Sequence, residues 1–514
     1  MRTVISDTTK NLLLGATALF LGVLHTYLFL SEMIGLNYPL FIIAALLCGL
    51  VLSHVFGRQI PRDTYVLIGF AIFFASMVFV RESELLTFFN ILGSILLIFI
   101  AIDQFSGKKL RSFLIKDFFS AVTLPFRCIG SFFETAPTLF SFRNYAVHST
   151  KKKEIVRGII MAAIALVLFT WLFAGADAHF ARIFDTFFTF TLNEEAIPYI
   201  VRTVFVTAFF VGAFGFMFLK QHRAIATQVN DARKLGLIET SILLGTINVL
   251  FCTFIILQIS TLFGGETHLT AEGLTYAEYA RNGFVQLVWV AIFSFIIISY
   301  AEAQVVIREN GHTQLFKVLS GMLVLLVVAI LASAYLKLSL YEAAYGFTDI
   351  RLYSHALMIW LAGGLILLFS HIVQNGRREV LVLRLFYSVI IFLFALNVLN
   401  PDVFIAQKNL ERYSVTGNID ALYLARLSHD ALPYTIGLLN DARETVRADY
   451  AYGLSQRMGN CSTDACTPTW KTMHPGDRKT ASLLKEYNDR IESNRNLLRE
   501  CTEYGDCGTE TYVD

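Results

Sequence analysis

Charge is what this sequence is short of. Only 16% of its 514 residues are Asp, Glu, Lys or Arg, against about 25% in ordinary soluble domains. With 55% hydrophobic residues and a mean hydropathy of +0.58, the chain cannot cover a globular surface with water-compatible groups. That excludes an ordinary soluble protein, and lipid must do part of the solvating. Proline is scarce as well, at nine residues, and none falls at the centre of an apolar run. Broken helices are how many secondary transporters build a site. Asp, Glu, Lys and Arg are likewise missing from the run centres, where ion pathways and proton relays place them. Both absences argue against a proton- or sodium-coupled pump and leave a facilitator open. No G-x-x-x-x-G-K-[ST], G-x-G-x-x-G or H-E-x-x-H occurs, which excludes nucleotide enzymes and metalloproteases of those kinds. No cofactor, metal or nucleic-acid partner is expected.

What is present is long apolar runs. A helix needs roughly 20 apolar residues to cross the hydrocarbon core. Eleven runs qualify: Asn11–Leu30, Pro39–Phe56, Tyr65–Val80, Leu85–Ala101, Ile155–Ala174, Tyr199–Leu219, Leu237–Phe263, Phe284–Ala303, Leu315–Leu336, Ser354–Val373 and Val380–Leu399. The third and fourth are short and parted only by Arg81-Glu82-Ser83-Glu84, which makes them the weakest part of the count. The length of the first run, and the lack of a small-x-small site after Leu30, favour a retained anchor over a signal peptide. The expected fold is all-α, a polytopic helical membrane bundle with a small helical C-terminal domain. It divides into a four-span segment (1–102), a basic amphipathic loop (103–154), a seven-span core (155–399) and a polar domain (400–514).

Basic residues resist translocation and collect on the cytoplasmic side. With the N-terminus inside and the segments alternating, 23 Lys and Arg fall inside and 6 outside. Eleven spans then put the C-terminal domain outside, in the periplasm or beyond. Cysteine offers a second argument for that side. Cys48 and Cys252 sit in apolar runs and Cys128 in the basic loop, whereas Cys461, Cys466, Cys501 and Cys507 cluster in the polar domain. An even cluster there reads as two disulfides in an oxidising compartment. Zinc is the alternative, although C-x4-C and C-x5-C fit zinc ribbons poorly.

In the basic loop Phe113, Leu114, Phe118, Phe119 and Val122 recur beside Lys108, Lys109, Arg111 and Lys116. The pattern predicts an interfacial helix with its basic face toward an anionic inner leaflet. Simple positive-inside anchoring explains the same charges. In the polar domain, helical periodicity marks Asp402–Tyr413, Ile419–Leu427, Asp441–Met458 and Thr480–Arg499.

Polar groups gather at the expected outer surface in three clusters. The first is Asp177, His179 and Arg182. The second is Glu266, His268, Glu272, Tyr276, Glu278, Tyr279 and Arg281. The third is Glu342, Asp349, Arg351 and His355. The first two make the candidate ligand-binding set, because histidines and carboxylates together can hold a divalent ion or a polar ligand. Structural roles compete: Thr275-x-x-Glu278 is a capping box, Glu278 and Arg281 form an i,i+3 pair, and Tyr276 and Tyr279 suit an aromatic belt. No catalytic residue stands out.

The stretch Thr275-Tyr276-Ala277-Glu278-Tyr279-Ala280-Arg281-x-Gly283-Phe284 resembles a segment of a bacterial family of multi-pass membrane proteins of unknown function. So do Ala176–Phe180, Asn400-Pro401-Asp402 with Asn409 and Arg412, and Asp420-x-x-Tyr423-Leu424-x-x-Leu427-Ser428-x-Asp430-Ala431-x-Pro433. The likeness runs from about residue 155 to 435. It implies architecture and a bacterial origin, and no activity; the expected location is the bacterial cytoplasmic membrane. The best-supported expectation is a signalling, regulatory or scaffold protein with an extracytoplasmic binding domain for a ligand or protein partner. A permease or channel for a small solute comes second. An outer-leaflet enzyme comes third, weakened because the first outer loop, Ser31–Tyr38, has Glu32 as its sole acid.

Overall fold

The computed structural model of the chain describes residues 6–29, 33–105, 109–139, 196–219, 236–263, 284–305, 310–459 and 469–494. Every regular element among them is helical. Ten helices are long and apolar enough to cross a membrane. Their helix bounds are α1 (Asp7–Phe29), α2 (Asn37–Val55), α3 (Arg62–Val80), α4 (Glu84–Phe105), α7 (Ala196–Phe214, with a π turn to Leu219), α8 (Leu237–Phe263), α9 (Phe284–Gln304), α10 (Asn310–Tyr345), α11 (Asp349–Gln374) and α12 (Arg378–Leu399). Between 17% and 44% of each apolar window is buried inside the protein. The rest faces outward, with Phe205 72%, Leu325 71%, Ile242 64% and Ile359 62% exposed. Water would penalise such a surface on every helix, and lipid does not.

The predicted run Ile155–Ala174 lies outside the described residues. The doubtful third and fourth runs are two separate helices, α3 and α4, joined through Arg81–Ser83. The ninth run, Leu315–Leu336, is the core of a much longer helix. α10 has 36 residues and continues two turns past Leu336.

The chain divides into two compact units. The first holds α1, α2, α3, most of α4, two short helices α5 (Ile115–Val122) and α6 (Leu124–Leu139), α7, and the strap 468–474. Here α6 lies on α7 so closely that a Cβ on Gly212 would come within 2.1 Å of the Cys128 carbonyl oxygen. Small residues let helix backbones approach in a bilayer. The buried Asp103 carboxylate meets Arg127 at 3.1 Å. The expected apolar stripe of the basic loop is not one face of one helix. Phe113 precedes α5 and is buried, while Phe119 lies on α5 and is 70% exposed.

The strap fastens to helix ends of this unit. Lys471 donates from Nζ to the Tyr27 carbonyl at 2.9 Å, the Asn37 N–H donates to the Lys471 carbonyl at 2.8 Å, and His474 Nδ1 lies 2.8 Å from the Phe79 carbonyl. The end of α1, the start of α2 and the end of α3 therefore share one end of the unit. α7 starts there too, since Arg202 donates to the Phe29 carbonyl at 3.1 Å.

The second unit holds α8 to α12, the joint Arg81–Leu86 and the C-terminal domain. α10 is its central helix and packs against α8, α9 and α11. Leu244, Ile298, Leu323, Val327, Ala334 and Leu365 are fully buried there. The C-terminal domain comprises α13 (Pro401–Thr416), α14 (Ala421–Arg426), α15 (Leu432–Thr435), α16 (Glu444–Gly459) and α17 (Asp477–Glu486). Helices form at the first three predicted places in this domain; α17 starts before Thr480 and stops at Glu486, the end of the predicted Thr480–Arg499 lies outside the described residues, and α15 is an addition. Its core gathers Ile405, Leu424, Tyr450 and Leu454, and takes in Leu352 from α11. The Tyr450 hydroxyl donates to Thr435 at 2.7 Å.

Candidate functional site

Where the C-terminal domain meets helix ends of the second unit, the polar side chains of that unit converge. Three short joints supply the floor: Arg81–Ser83 before α4, Gly346–Thr348 between α10 and α11, and Asn400 between α12 and α13. The segment Leu427–Asp430, between α14 and α15, is tied to the first and the last of them. Its backbone is polar and non-helical because α14 stops at Arg426 and Pro433 opens α15.

Each residue of that segment has a different anchor. The Ser428 N–H donates to Asp402 Oδ2 at 3.2 Å. The His429 N–H donates to Glu82 Oε2 at 2.9 Å. The Asp430 carboxylate accepts from Asn400 Nδ2 at 3.1 Å and pairs with Arg81 Nη1 at 3.4 Å. Arg81 also forks onto the Asn397 carbonyl, at 3.1 and 2.9 Å.

Two carboxyls lie side by side beneath this segment. Asp349, at the start of α11, adjoins Asp402, at the start of α13. The Tyr423 hydroxyl donates to Asp349 Oδ2 at 3.2 Å and accepts from the Asp349 N–H at 3.0 Å. Asp402 is 4% exposed. Burial pushes its carboxyl up to about 6; the charges of Asp349 and Asp430 add to that, and the Ser428 hydrogen bonds oppose it. The Tyr423 phenol is pushed up by burial and by Asp349. Like charges this close resist joint ionisation, so the pair holds a proton at mildly acidic pH where an ordinary carboxyl has lost it.

On the far side of His429, its Nδ1 lies 2.8 Å from Glu82 Oε1 and 3.3 Å from Asp477 Oδ1. Among the described residues this is the one group of His, Cys, Asp and Glu with ligating atoms close enough to hold a cation. Asp477 opens α17 and Glu82 sits in the α3–α4 joint, so three distant stretches of chain supply it.

The nine nominated residues, Asp177, His179, Arg182, Glu266, His268, Tyr276, Glu278, Tyr279 and Arg281, lie outside the described residues. Nor do the expected disulfides find support. Cys48, Cys128 and Cys252 are free thiols, and Cys461, Cys466, Cys501 and Cys507 lie outside the described residues. The third cluster is described and splits in two. Glu342 Oε1 meets His355 Nδ1 at 3.2 Å, both buried. Arg351 donates to the Gly346 carbonyl and stacks 4.1 Å over the Tyr341 ring, while Asp349 joins the carboxyl pair. Sequence reasoning did not nominate Arg81, Glu82, Asp402, Tyr423, His429, Asp430 or Asp477. Asp402, Tyr423 and Asp430 did stand in the family-like segments.

Ten apolar helices, with a polar cap of helical domain seated on the span ends of one unit, define a multi-pass integral membrane protein. The chain belongs to the family described as a domain of unknown function, DUF4153, which matches residues 68–438. The match begins inside α3, well before residue 155, and so takes in Arg81 and Glu82. No curated protein and no solved structure matches the chain.

Proposed function

We propose that this is a signalling, regulatory or scaffold protein of the bacterial cytoplasmic membrane. Its C-terminal domain binds a ligand or partner outside the cytoplasm and couples it to the spans. The observation that carries this reading is the fastening of the Leu427–Asp430 segment to two joints and a helix start at once: to Arg81 and Glu82 before α4, to Asn400 between α12 and α13, and to Asp402 at the start of α13. A change of state in the domain is then felt at the ends of α4, α11, α12 and α13. Ionic contacts that form or break as a unit make such a coupling element bistable.

An even number of crossings between helix ends supports eleven spans. α4 departs from the end where α3 stops, and α7 starts at that same end. A return crossing between Phe105 and Ala196 fits these ends, and the sequence offers Ile155–Ala174 as an apolar run of suitable length for it. With eleven crossings and 23 basic residues on one side against 6 on the other, the N-terminus is cytoplasmic and the domain is exported. A partly open cavity of the first unit, about 160 Å³, is lined by apolar side chains such as Phe41, Ile98, Phe209 and Met217. It offers a polar solute nothing to bind, which counts against the permease reading.

Two measurements test the proposal. A periplasm-dependent reporter fused after Asp514 should be active, and activity of a cytoplasm-only reporter there would reverse the arrangement. Purified protein in liposomes should leave solute fluxes unchanged. A saturable, solute-specific flux would replace the signalling reading with transport.

A further inference from the structure

We propose that Glu82, His429 and Asp477 form a binding site for a divalent transition-metal ion, with zinc(II) the ion the donors suit best. The proposal stands apart from the signalling reading, because a metal staple would serve a scaffold or a permease equally well.

Zinc bonds to imidazole nitrogen and carboxylate oxygen are about 2.0–2.2 Å long, so donors around one tetrahedral ion lie about 3.3–3.6 Å from each other. Here His429 Nδ1 stands 2.8 Å from Glu82 Oε1 and 3.3 Å from Asp477 Oδ1. One donor atom from each of the three residues lies within 4.8 Å of the others. Small side-chain rotations bring such a set onto one ion.

A plain hydrogen bond explains half of this arrangement. A single proton on Nδ1 points at one oxygen, yet two carboxylates from separate chain segments converge on the same nitrogen. Two carboxylates beside one imidazole nitrogen make a donor set that suits a divalent cation, and Arg457 Nη2 stands 4.0 Å from Glu82 Oε2. The donors are also held before any ion arrives. Glu82 Oε2 is taken by the His429 N–H at 2.9 Å, leaving Oε1 toward the imidazole. Arg457 Nη1 donates to the Leu427 carbonyl at 2.7 Å and steadies the segment that carries His429.

Access and chemistry agree with a cation. The three side chains are 27%, 15% and 14% exposed in the order His429, Glu82, Asp477. Water can therefore reach the site and complete the coordination. One imidazole with two carboxylates favours zinc or manganese over magnesium and calcium, which take oxygen donors, and over soft ions, which take sulfur. A bound ion would staple the α3–α4 joint, the α14–α15 segment and the start of α17 to one another.

The test uses the full-length protein in detergent, stripped with chelator and dialysed. Added Zn2+ should raise the apparent Tm by several degrees with saturation, and Mn2+ should do so more weakly. Elemental analysis should find one more ion per chain in the wild type than in E82Q, H429Q or D477N. Co2+ should give a visible d–d band that H429Q lacks. The exposed control E444Q should behave as wild type. No metal-dependent Tm rise in the wild type, or an unchanged ion count in E82Q and H429Q, would overturn the site. Should H429Q fail to fold, D477N preserves side-chain shape, and its ion count and cobalt spectrum decide the matter.

Discussion

Asn409 holds both backbone groups of Phe347. Its Oδ1 accepts from the Phe347 N–H at 2.9 Å, and its Nδ2 donates to the Phe347 carbonyl at 2.8 Å. An α13 side chain thus takes the place of a neighbouring strand for the α10–α11 turn, with Gly346 at φ +87° beside it. Asn409→Ala removes the partners of a part-buried donor and acceptor, at about 0.5–1.5 kcal/mol each. Asn409→Asp keeps the acceptor and loses the donor. The order of apparent Tm in detergent should be wild type, then N409D, then N409A, and limited proteolysis should cut N409A near the turn. Equal Tm for all three would show that the turn holds itself.

Asp402 sets a pH dependence whose sign is fixed by the direction of its shift. Its folded carboxyl titrates near 6, above its usual 3.8. Between those values the folded state binds the proton and the unfolded state releases it. The stabilising contribution is thus full below about pH 3.8 and is lost as pH rises through 6. At about 1.4 kcal/mol per pH unit, this comes to roughly 2–3 kcal/mol across the window. Asp402→Asn mimics the protonated form, so it should flatten the fall in apparent Tm between pH 4.5 and 7 and leave the protein more stable than wild type at pH 7. A parallel fall in both proteins would acquit Asp402.

Arg81 engages a carbonyl with two nitrogens and a carboxylate with the third. A lysine can keep the ion pair but cannot reproduce the fork. Arg81→Lys should therefore lose nearly as much stability as Arg81→Ala. In a double-mutant cycle with Asp430→Asn, the Arg81–Asp430 coupling should be about 0.5–1 kcal/mol, since both side chains are partly exposed. Full recovery in R81K would assign the interaction to charge alone.

Most of the architecture is readable from apolar runs because lipid imposes one rule on every helix. The departures have local causes. Apolarity reports lipid contact, not the end of the backbone hydrogen-bond ladder. α10 therefore outruns Leu315–Leu336 at both ends, and carries Lys337 and Glu342 in a stretch where protein, not lipid, surrounds it. Phe113 looked like part of a helical stripe, yet the extended backbone of Leu114 starts α5 after it. The carboxyl pair and the triad were harder still. Glu82 and His429 are 347 positions apart, and nothing in the periodicity of either segment links them. Asp402, Tyr423 and Asp430 carried a signal as polar residues in family-like stretches, and Asp349 as a member of the third polar cluster, without any hint of what they face.

Close packing of α6 on α7 gives a last expectation, internal to the first unit. Gly212 admits no side chain, because a Cβ would sit 2.1 Å from the Cys128 carbonyl oxygen and 3.1 Å from Phe132 Cβ. Both are fixed points of a helix, so the contact cannot be relieved by turning a flexible side chain. Gly69 on α3 has no such neighbour within 4 Å, which makes it the matched control in the same unit. Gly212→Val must push α6 away and uncover the buried pair of Asp103 and Arg127. An overpacked contact costs about 1–3 kcal/mol, and an exposed buried charge adds to it. G212V should lower membrane abundance and apparent Tm clearly, with thiol labelling of Cys128 accelerated as α6 lifts, while G69V stays near wild type on all three measures. Slow Cys128 labelling in a well-expressed G212V protein would mean that α6 does not rest on α7 in the membrane.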